Sequence, residues 1–567
     1  MQKMKRQHFI LSIALLVCYQ CFSQTIPVPP YPKGYFQWPL HLPPGIAANF
    51  GELRPNHYHM GLDIRTNHKQ NQEVFAAAEG YIAKVKIEPS GFGRCIYINH
   101  PNGLTTVYAH LNDFNPELEK YVTDQQYKLK SWKVFLDIPS DLFPVKKDQF
   151  IAYSGNTGGS QGPHLHFEIR DTKTDKVLNP LLFGLPIVDN IPPDIYKLAV
   201  YDRSISTFSQ TPKTFALKKV NGLYVIPSLI KTFSNKVSFA ITAFDRYENA
   251  GGRNGVFQAI LFDSTKPIVG FQLDSISYDE TRDFNAHIDY KYKSEGKGWL
   301  QHVSRLPGYV VSPYHEINGD GVVDISDDSI HKMHIDVSDP YGNASTIRFD
   351  IQHMQAKADT HKYAKLTALI PNQENKLETD DFVMEFPSNC IYDSIYYFYR
   401  IGGPANLKSY EIFPTNIPVH QYFTVKIKAD IPVDKQDRVV MRCSGMGSPD
   451  YNKPTFENGW YSTKFRELGT YQLEIDNTPP TITPIGFRDN MKATGLKRIA
   501  FVAGDNTGLV KSFNAYIDGN WIRFTNDKGR IFIYNFDERV GPGEHELKVT
   551  AEDEAGNITE KVFHFVR

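Results

Sequence analysis

Apolar and polar residues alternate in short runs along most of this 567-residue chain. Cys95-Ile96-Tyr97-Ile98, Thr105-Thr106-Val107-Tyr108 and His164-Leu165-His166-Phe167-Glu168 are examples, set between glycine-containing turns. Successive side chains of a β-strand point to opposite faces, so this alternation predicts half-buried strands. Helical spacing is scarce, and Pro116-Glu117-Leu118-Glu119-Lys120-Tyr121-Val122 predicts one short helix. The expected fold class is mostly β: an antiparallel β-rich domain over 49–186, then several β-sandwich units.

Residues 24–48 are rich in proline and read as an extended arm, with Tyr35, Phe36 and Trp38 packing part of it on the next domain. Asn179-Pro180 to Pro186 closes that domain. Beyond it two elements recur. Asp189-Asn190-Ile191-Pro192-Pro193 reappears as Asp476-Asn477-Thr478-Pro479-Pro480. A strand with a polar turn recurs as Ala243-Phe244-Asp245-Arg246-Tyr247-Glu248-Asn249, Val337-Ser338-Asp339-Pro340-Tyr341-Gly342-Asn343 and Ala551-Glu552-Asp553-Glu554-Ala555-Gly556-Asn557. This resembles bacterial immunoglobulin-like modules, in which such a turn joins the last two strands. Four β-sandwiches are expected, near 187–267, 268–355, 360–475 and 476–567, with one larger domain over 187–355 as the alternative.

The first residues read as a signal peptide over 1–23. Lys3, Lys5 and Arg6 precede an apolar run from Phe9 to Val17 that is too short to span a bilayer. Export to the periplasm or cell surface follows. A lipid anchor on Cys18 or Cys21 is the alternative, but Leu16-Val17 and Tyr19-Gln20 are not the small residues it needs. No later stretch has eighteen uninterrupted apolar residues, so no spanning helix is expected. Loss of the leader takes the formal charge from −1 to −4, and no Lys/Arg run points to nucleic acid. Cys95, Cys390 and Cys443 remain; Cys390 and Cys443 either pair or stay as buried thiols. Glu316, Asn318, Asp320, Asp324 and Asp327, with Gly321 between them, have the spacing of a calcium loop, against an acidic hairpin as the alternative.

Candidate chemistry lies in His59-Met60-Gly61-Leu62-Asp63 and Gly162-Pro163-His164-Leu165-His166-Phe167-Glu168. Residues two or four apart share one face of a strand, which aligns His59 with Asp63 and His164 with His166 and turns Leu165, Phe167 and Ile169 toward a core. Imidazole and carboxylate are zinc ligands, and catalytic sites use three protein ligands with one position open. His59, Asp63 and His166 are read as the metal ligands. His164 is read as a neighbour that orients water or donates to an oxyanion. Either motif alone is more often a surface pair or a satisfied core pair than a metal site.

The order of motifs changes that balance. Phe50-Gly51-Glu52-Leu53-Arg54, the His59–Asp63 stretch, Val74-Phe75-Ala76-Ala77, Glu79-Gly80-Tyr81-Ile82, Gly91-Phe92-Gly93, Thr106-Val107-Tyr108-Ala109-His110-Leu111 and Gly155 to Glu168 follow one another. From Phe50 to Arg170, about a fifth of the chain, this resembles the lysostaphin-type zinc metallopeptidases, a family of peptidoglycan endopeptidases. The resemblance implies zinc on His59, Asp63 and His166, with His110 and His164 as catalytic histidines. Two departures are Arg94-Cys95, where the family usually has Asn, and about thirty residues inserted between Leu111 and Phe143. The insertion either borders a substrate groove or packs on the core or a neighbouring domain. The resulting expectation is an exported zinc metalloendopeptidase acting on peptidoglycan, with the sandwiches contacting the wall or other envelope proteins. The alternatives are a non-hydrolytic scaffold that activates another wall hydrolase, and an endopeptidase acting on proteins or a competitor's wall.

Overall fold

The alternating runs fold into antiparallel sheets. The computed structural model describes residues 26–248, 252–309, 313–355, 367–527 and 529–567. The expected signal peptide, and Asn249 of the first recurring turn, lie outside them. Residues 26–31 form no helix or strand and belong to a separate unit from Pro32–Arg567, to which everything below refers.

The N-terminal domain contains β1 (Ile46–Ala48), β2 (Leu53–Arg54), β3 (His57–Tyr58), β4 (Leu62–Arg65), β5 (Glu73–Phe75), β6 (Gly80–Ile87), β7 (Arg94–Asn99), β8 (Leu104–Ala109), β9 (Leu111–Phe114), α1 (Pro116–Leu129), β10 (Val134–Asp137), β11 (Pro144–Val145), β12 (Phe150–Ser154), β13 (His164–Asp171) and β14 (Val177–Leu178). Its main sheet has the order β1-β4-β13-β8-β7-β6-β10, with β11 beside β6 and β14 beside β13. A smaller sheet runs β5-β12-β9. β13 shows why the pattern matters. Leu165, Phe167 and Ile169 are fully buried on one face, while His164, His166, Glu168 and Arg170 occupy the other. β1 lies within the stretch read as an arm, whose Phe36 packs edge-on against Phe183.

The insertion after Leu111 forms α1 and β10. Asn115 caps the helix by accepting from the Leu118 N–H, Pro116 fills the first position, and Lys130 closes it in the left-handed conformation. The helix runs a further seven residues past the predicted Val122. Leu118, Val122 and Gln126 form its buried face, and the polar Gln126 hides the continuation from a hydrophobic count.

The expected boundary at 267 is corrected: it falls inside the hairpin Gln258–Asp263 to Lys266–Gln272. Strands from both sides of it interleave. Asp194–Asp202 and Lys236–Phe244 pair in one sheet, which also takes Gln301–His302 and Val323–Asp324. The facing sheet runs from Lys218–Val220 through Ala344–His353, Ile330–Ser338 and Gln258–Asp263 to Tyr314–Glu316. Residues 187–355 are therefore one two-sheet unit. Its core is continuous with the N-terminal domain: Phe50, Leu53, Tyr58, Met60 and Val177 pack in the same cluster as Phe239, Phe271 and Ile335. The strand Ser275–Ile276 pairs with β14 and so extends the N-terminal domain's own sheet.

Residues 367–476 form sheets of six and five strands around a core that includes Phe382, Tyr410 and Tyr471. The last unit sandwiches Ile499, Phe501, Val549 and Phe563. It then returns to the start of the chain. Arg523 donates to Gln126 at 2.7 Å and Thr123 at 3.1 Å, Trp521 meets Tyr127 edge-on, and the Gly158 N–H bonds the Asp527 carbonyl at 3.1 Å. These contacts show the insertion packed on a neighbouring unit. Cys95, Cys390 and Cys443 are free and buried, so the Cys390–Cys443 pairing is not made. Among the described residues no helix is long and apolar enough to cross a membrane.

The shared core carries a prediction. Phe271→Ala empties a fully buried site and is expected to cost about 3–5 kcal/mol. Calorimetry of residues 32–355 should show one joint transition that moves as a whole. A separate transition for residues 32–186, unmoved by the substitution, would show two independent cores.

Candidate metal centre

β4 and β13 pair with Asp63 directly opposite His166. His59 lies in the turn between β3 and β4, not within one continuous strand with Asp63 as the spacing suggested. Gly61 makes that turn possible. A Cβ there would stand 2.5 Å from the Phe167 carbonyl and 2.9 Å from the His166 ring, so only glycine lets the segment lie against β13. The result brings three donors together. His59 Nε2 is 2.9 Å from Asp63 Oδ1, His166 Nδ1 is 3.1 Å from the same oxygen, and the two ring nitrogens are 3.1 Å apart. All three residues are buried.

The outer nitrogens fix the tautomers. His59 Nδ1 lies 2.7 Å from the Asn49 carbonyl, which only accepts, so the proton sits there and Nε2 presents its lone pair inward. His166 Nε2 lies 2.9 Å from Glu168 Oε1, which leaves Nδ1 facing inward. Two lone pairs and a carboxylate oxygen within about 3 Å repel one another unless a cation lies between them. The donor set therefore fits a metal with nitrogen and oxygen ligands. The electrostatics agree. Burial raises the Asp63 carboxyl, but the surrounding imidazoles of His59, His164 and His166 more than reverse this and hold it well below the usual range. Burial pushes His59 down to about 4. Burial also opposes the charge on His166, yet hydrogen bonds to Asp63 and Glu168 lift it to about 9. Its inner position is thus one that a cation fills, whether proton or metal.

The two remaining histidines border this cluster. His164 Nε2 is 3.2 Å from Asp63 Oδ1, and its Nδ1 is 2.8 Å from the Gly162 carbonyl. His110 sits between β8 and β9 at φ +60°, a left-handed conformation that breaks the strand and turns its ring inward. Its Nδ1 is 2.9 Å from the Thr157 carbonyl, and its ring centre is 4.8 Å from that of His164 and 5.8 Å from that of His166. Burial, reinforced by the facing imidazoles, pushes His110 down to about 3. All five residues singled out from the sequence therefore lie together.

Sequence reasoning missed the groups that hold them. Glu168 is fully buried and bridges His166 and Arg170, and Burial would raise it but Arg170 and His166 bring it down to about 2. Tyr278, from the 187–355 unit, donates to the same Glu168 oxygen at 2.5 Å. Arg54 donates to Asp63, and Asn49 receives His59. Glu168 stood inside the quoted motif, two residues from His166 on the same strand face, which was its available signal. Arg94 and Cys95, the departure from the family pattern, are a buried side chain paired with the half-buried Glu119 of α1 and a buried core thiol. In the acidic stretch with calcium-loop spacing, Glu316 pairs with Arg305, Asn318 bonds the Pro267 carbonyl, and Asp327 pairs with His331.

Comparison with known proteins bears on the N-terminal domain. Residues 57–127 match peptidase family M23, and the chain carries a domain of that family. Residues 367–476 match the Zu5-like domain. An uncharacterized metalloprotease of Haemophilus influenzae is 31% identical over 163 residues, which is 27% of this chain and 28% of that protein. The cell division protein DipM of Caulobacter vibrioides is 30% identical over 144 residues, 25% of this chain and 19% of that one. The DD-carboxypeptidase/endopeptidase Mpg of Neisseria meningitidis is 30% identical over 128 residues, 23% of each. The chain thus spans about a quarter of the length of these relatives. Among solved structures, the catalytic domain of the antimicrobial peptidase lysostaphin from Staphylococcus simulans aligns at 23% identity and a TM-score of 0.19, over 25% of this chain and 91% of that one.

Glu168→Gln keeps the shape of the His166 partner and removes its charge. It is expected to weaken divalent-metal binding about 10–100-fold, read by competition against a chromogenic chelator. Unchanged affinity would show that Glu168 serves only Arg170 and Tyr278.

Proposed function

We propose that this protein is a zinc metalloendopeptidase that hydrolyses peptide bonds in the stems or cross-links of peptidoglycan, outside the cytoplasmic membrane. The observation that carries the reading is the convergence of His59 Nε2, His166 Nδ1 and Asp63 Oδ1, with the outer nitrogen of each ring tied to an acceptor. His59, Asp63 and His166 would hold the zinc, which when bound supplies Lewis acidity at the scissile carbonyl and acidifies water. The substrate class comes from the relatives, one of them named a DD-carboxypeptidase/endopeptidase.

The chain's own residues supply the remaining chemistry. His110 directs Nδ1 at the Thr157 backbone carbonyl, which leaves its Nε2 as an acceptor, whereas His164, with Nδ1 at the Gly162 carbonyl, turns Nε2 as a donor toward Asp63 Oδ1. Neutral in its buried setting, His110 takes a hydrogen bond from the attacking water and orients it. On receiving the proton, a histidine here becomes a donor, able to stabilise the developing oxyanion and then to protonate the leaving amine. No Glu of a His-Glu-x-x-His helix is present in the sequence, so these two side chains carry the proton transfers.

Purified sacculi incubated with the protein should release cut muropeptides, detected by mass spectrometry, and a chelator should stop the release. His166→Ala should lose zinc and digestion together. His110→Ala should keep zinc and lose about 10²–10⁴ in kcat. Zinc-loaded protein that binds sacculi and releases nothing would point to the scaffold reading instead.

A further inference from the structure

The two recurring sequence elements meet in space. In the 187–355 unit Asp189 lies in the Pro-Pro linker, Asp245 just after the strand Lys236–Phe244, and Asp339 just after the strand Ile330–Ser338. Their carboxylate oxygens lie within 4.8 Å of one another, all buried. In the last unit Asp476, Asp505 and Asp553 take the corresponding places, again within 4.8 Å. Both clusters are braced identically. Asn343 Nδ2 donates to the Asp339 carboxylate and to the Asp189 backbone carbonyl, and Asn557 Nδ2 donates to the Asp553 carboxylate and the Asp476 backbone carbonyl.

What the braces leave open points to a ligand. Asp245 is fully buried, and neither carboxylate oxygen is met at hydrogen-bonding geometry, although the Arg246 N–H and the Tyr247 hydroxyl lie nearby. One oxygen each of Asp189, Asp476 and Asp505 is buried and unpartnered as well. Asn254, 1% exposed and paired through its backbone with Asp245, also has both side-chain polar atoms unpartnered. Among the described residues none of the six aspartates makes an ion pair. Buried charges without a counter-ion are costly, and such groups are normally paired or bound to metal. Burial and the adjoining carboxylates accordingly push Asp245 up to about 8.

We propose that each triad is a calcium site that pins the Pro-Pro linker to the end of its β-sandwich, two ions per chain. The donors are oxygen only, which selects a hard cation over zinc. Three converging carboxylates suit calcium, which takes six to eight oxygens in flexible geometry, better than magnesium, which sheds its water reluctantly. Neither triad shares a residue with the His59, Asp63 and His166 group, so calcium and zinc are counted separately.

The test uses the full chain, zinc-loaded, equilibrated with millimolar calcium chloride, with bound metals counted by mass spectrometry. The wild type should hold two calcium ions, Asp245→Asn one, Asp505→Asn one, and the double variant none, with zinc unchanged in all four. Calcium should raise the Tm of the wild type and not that of the double variant. Without calcium the variants should be at least as stable as the wild type, because Asn removes a charge from an uncompensated cluster. Absence of bound calcium in the wild type, or unchanged stoichiometry in the variants, would overturn the proposal. So would an equal loss of Tm with and without calcium, which marks a purely structural role.

Discussion

The structure around the N-terminal sheet is built on one electrostatic conflict. Two imidazole nitrogens and a carboxylate oxygen are held about 3 Å apart, where they repel unless a cation, proton or metal, lies among them. Without that cation the trio repels, so groups outside it must hold the arrangement in place. The β4–β13 pairing fixes Asp63 against His166, Gly61 lets the His59 turn approach β13, and the Asn49 carbonyl and the Glu168 carboxylate hold the outer nitrogens. Each of these is a covalent or hydrogen-bonded constraint that persists whether or not an ion is present. This is preorganisation: the folding free energy of the domain meets the cost of assembling the donors before a metal arrives.

The imposing groups do not all belong to the domain that contains the histidines. Asn49 is itself held by Gly255 and Tyr247, and Glu168 by Tyr278, all from the following unit. The shared hydrophobic cluster explains why these long-range bonds can be short and well aligned. A rigid interface with a continuous core transmits position to within a fraction of an ångström, whereas a wet interface between separately folded domains does not. The sandwich after the metal centre therefore acts as its foundation.

How much of this was readable without coordinates depended on the range of each interaction. His164 and His166 were legible because a two-residue spacing maps onto one face of a strand, whereas His59 meets Asp63 through a turn and not through the strand spacing that singled it out. His110 was legible only from the order of motifs, since the left-handed turn that aims it has no mark in its own neighbourhood. Glu168 was in view, but its partner Tyr278 is 110 residues away. The merging of 187–267 with 268–355 depends on strand pairings such as Lys236–Phe244 with Gln301–His302, which local alternation does not encode. The regular oxygen spacing from Glu316 to Asp327 misled because each side chain finds a different partner, while the carboxylates that do converge are scattered across their units. Their repetition in two units was visible, but not what it assembled.

The bond from the Gly158 N–H to the Asp527 carbonyl has a consequence in time. Gly158 follows Thr157, whose carbonyl orients His110. Chains are synthesised from the N-terminus and their domains generally fold in that order. The histidine loop thus exists long before the segment that clasps it. A polypeptide broken off before the last unit would contain every histidine of the metal centre and lack the clasp, so the finished loop reports that synthesis has passed Asp527.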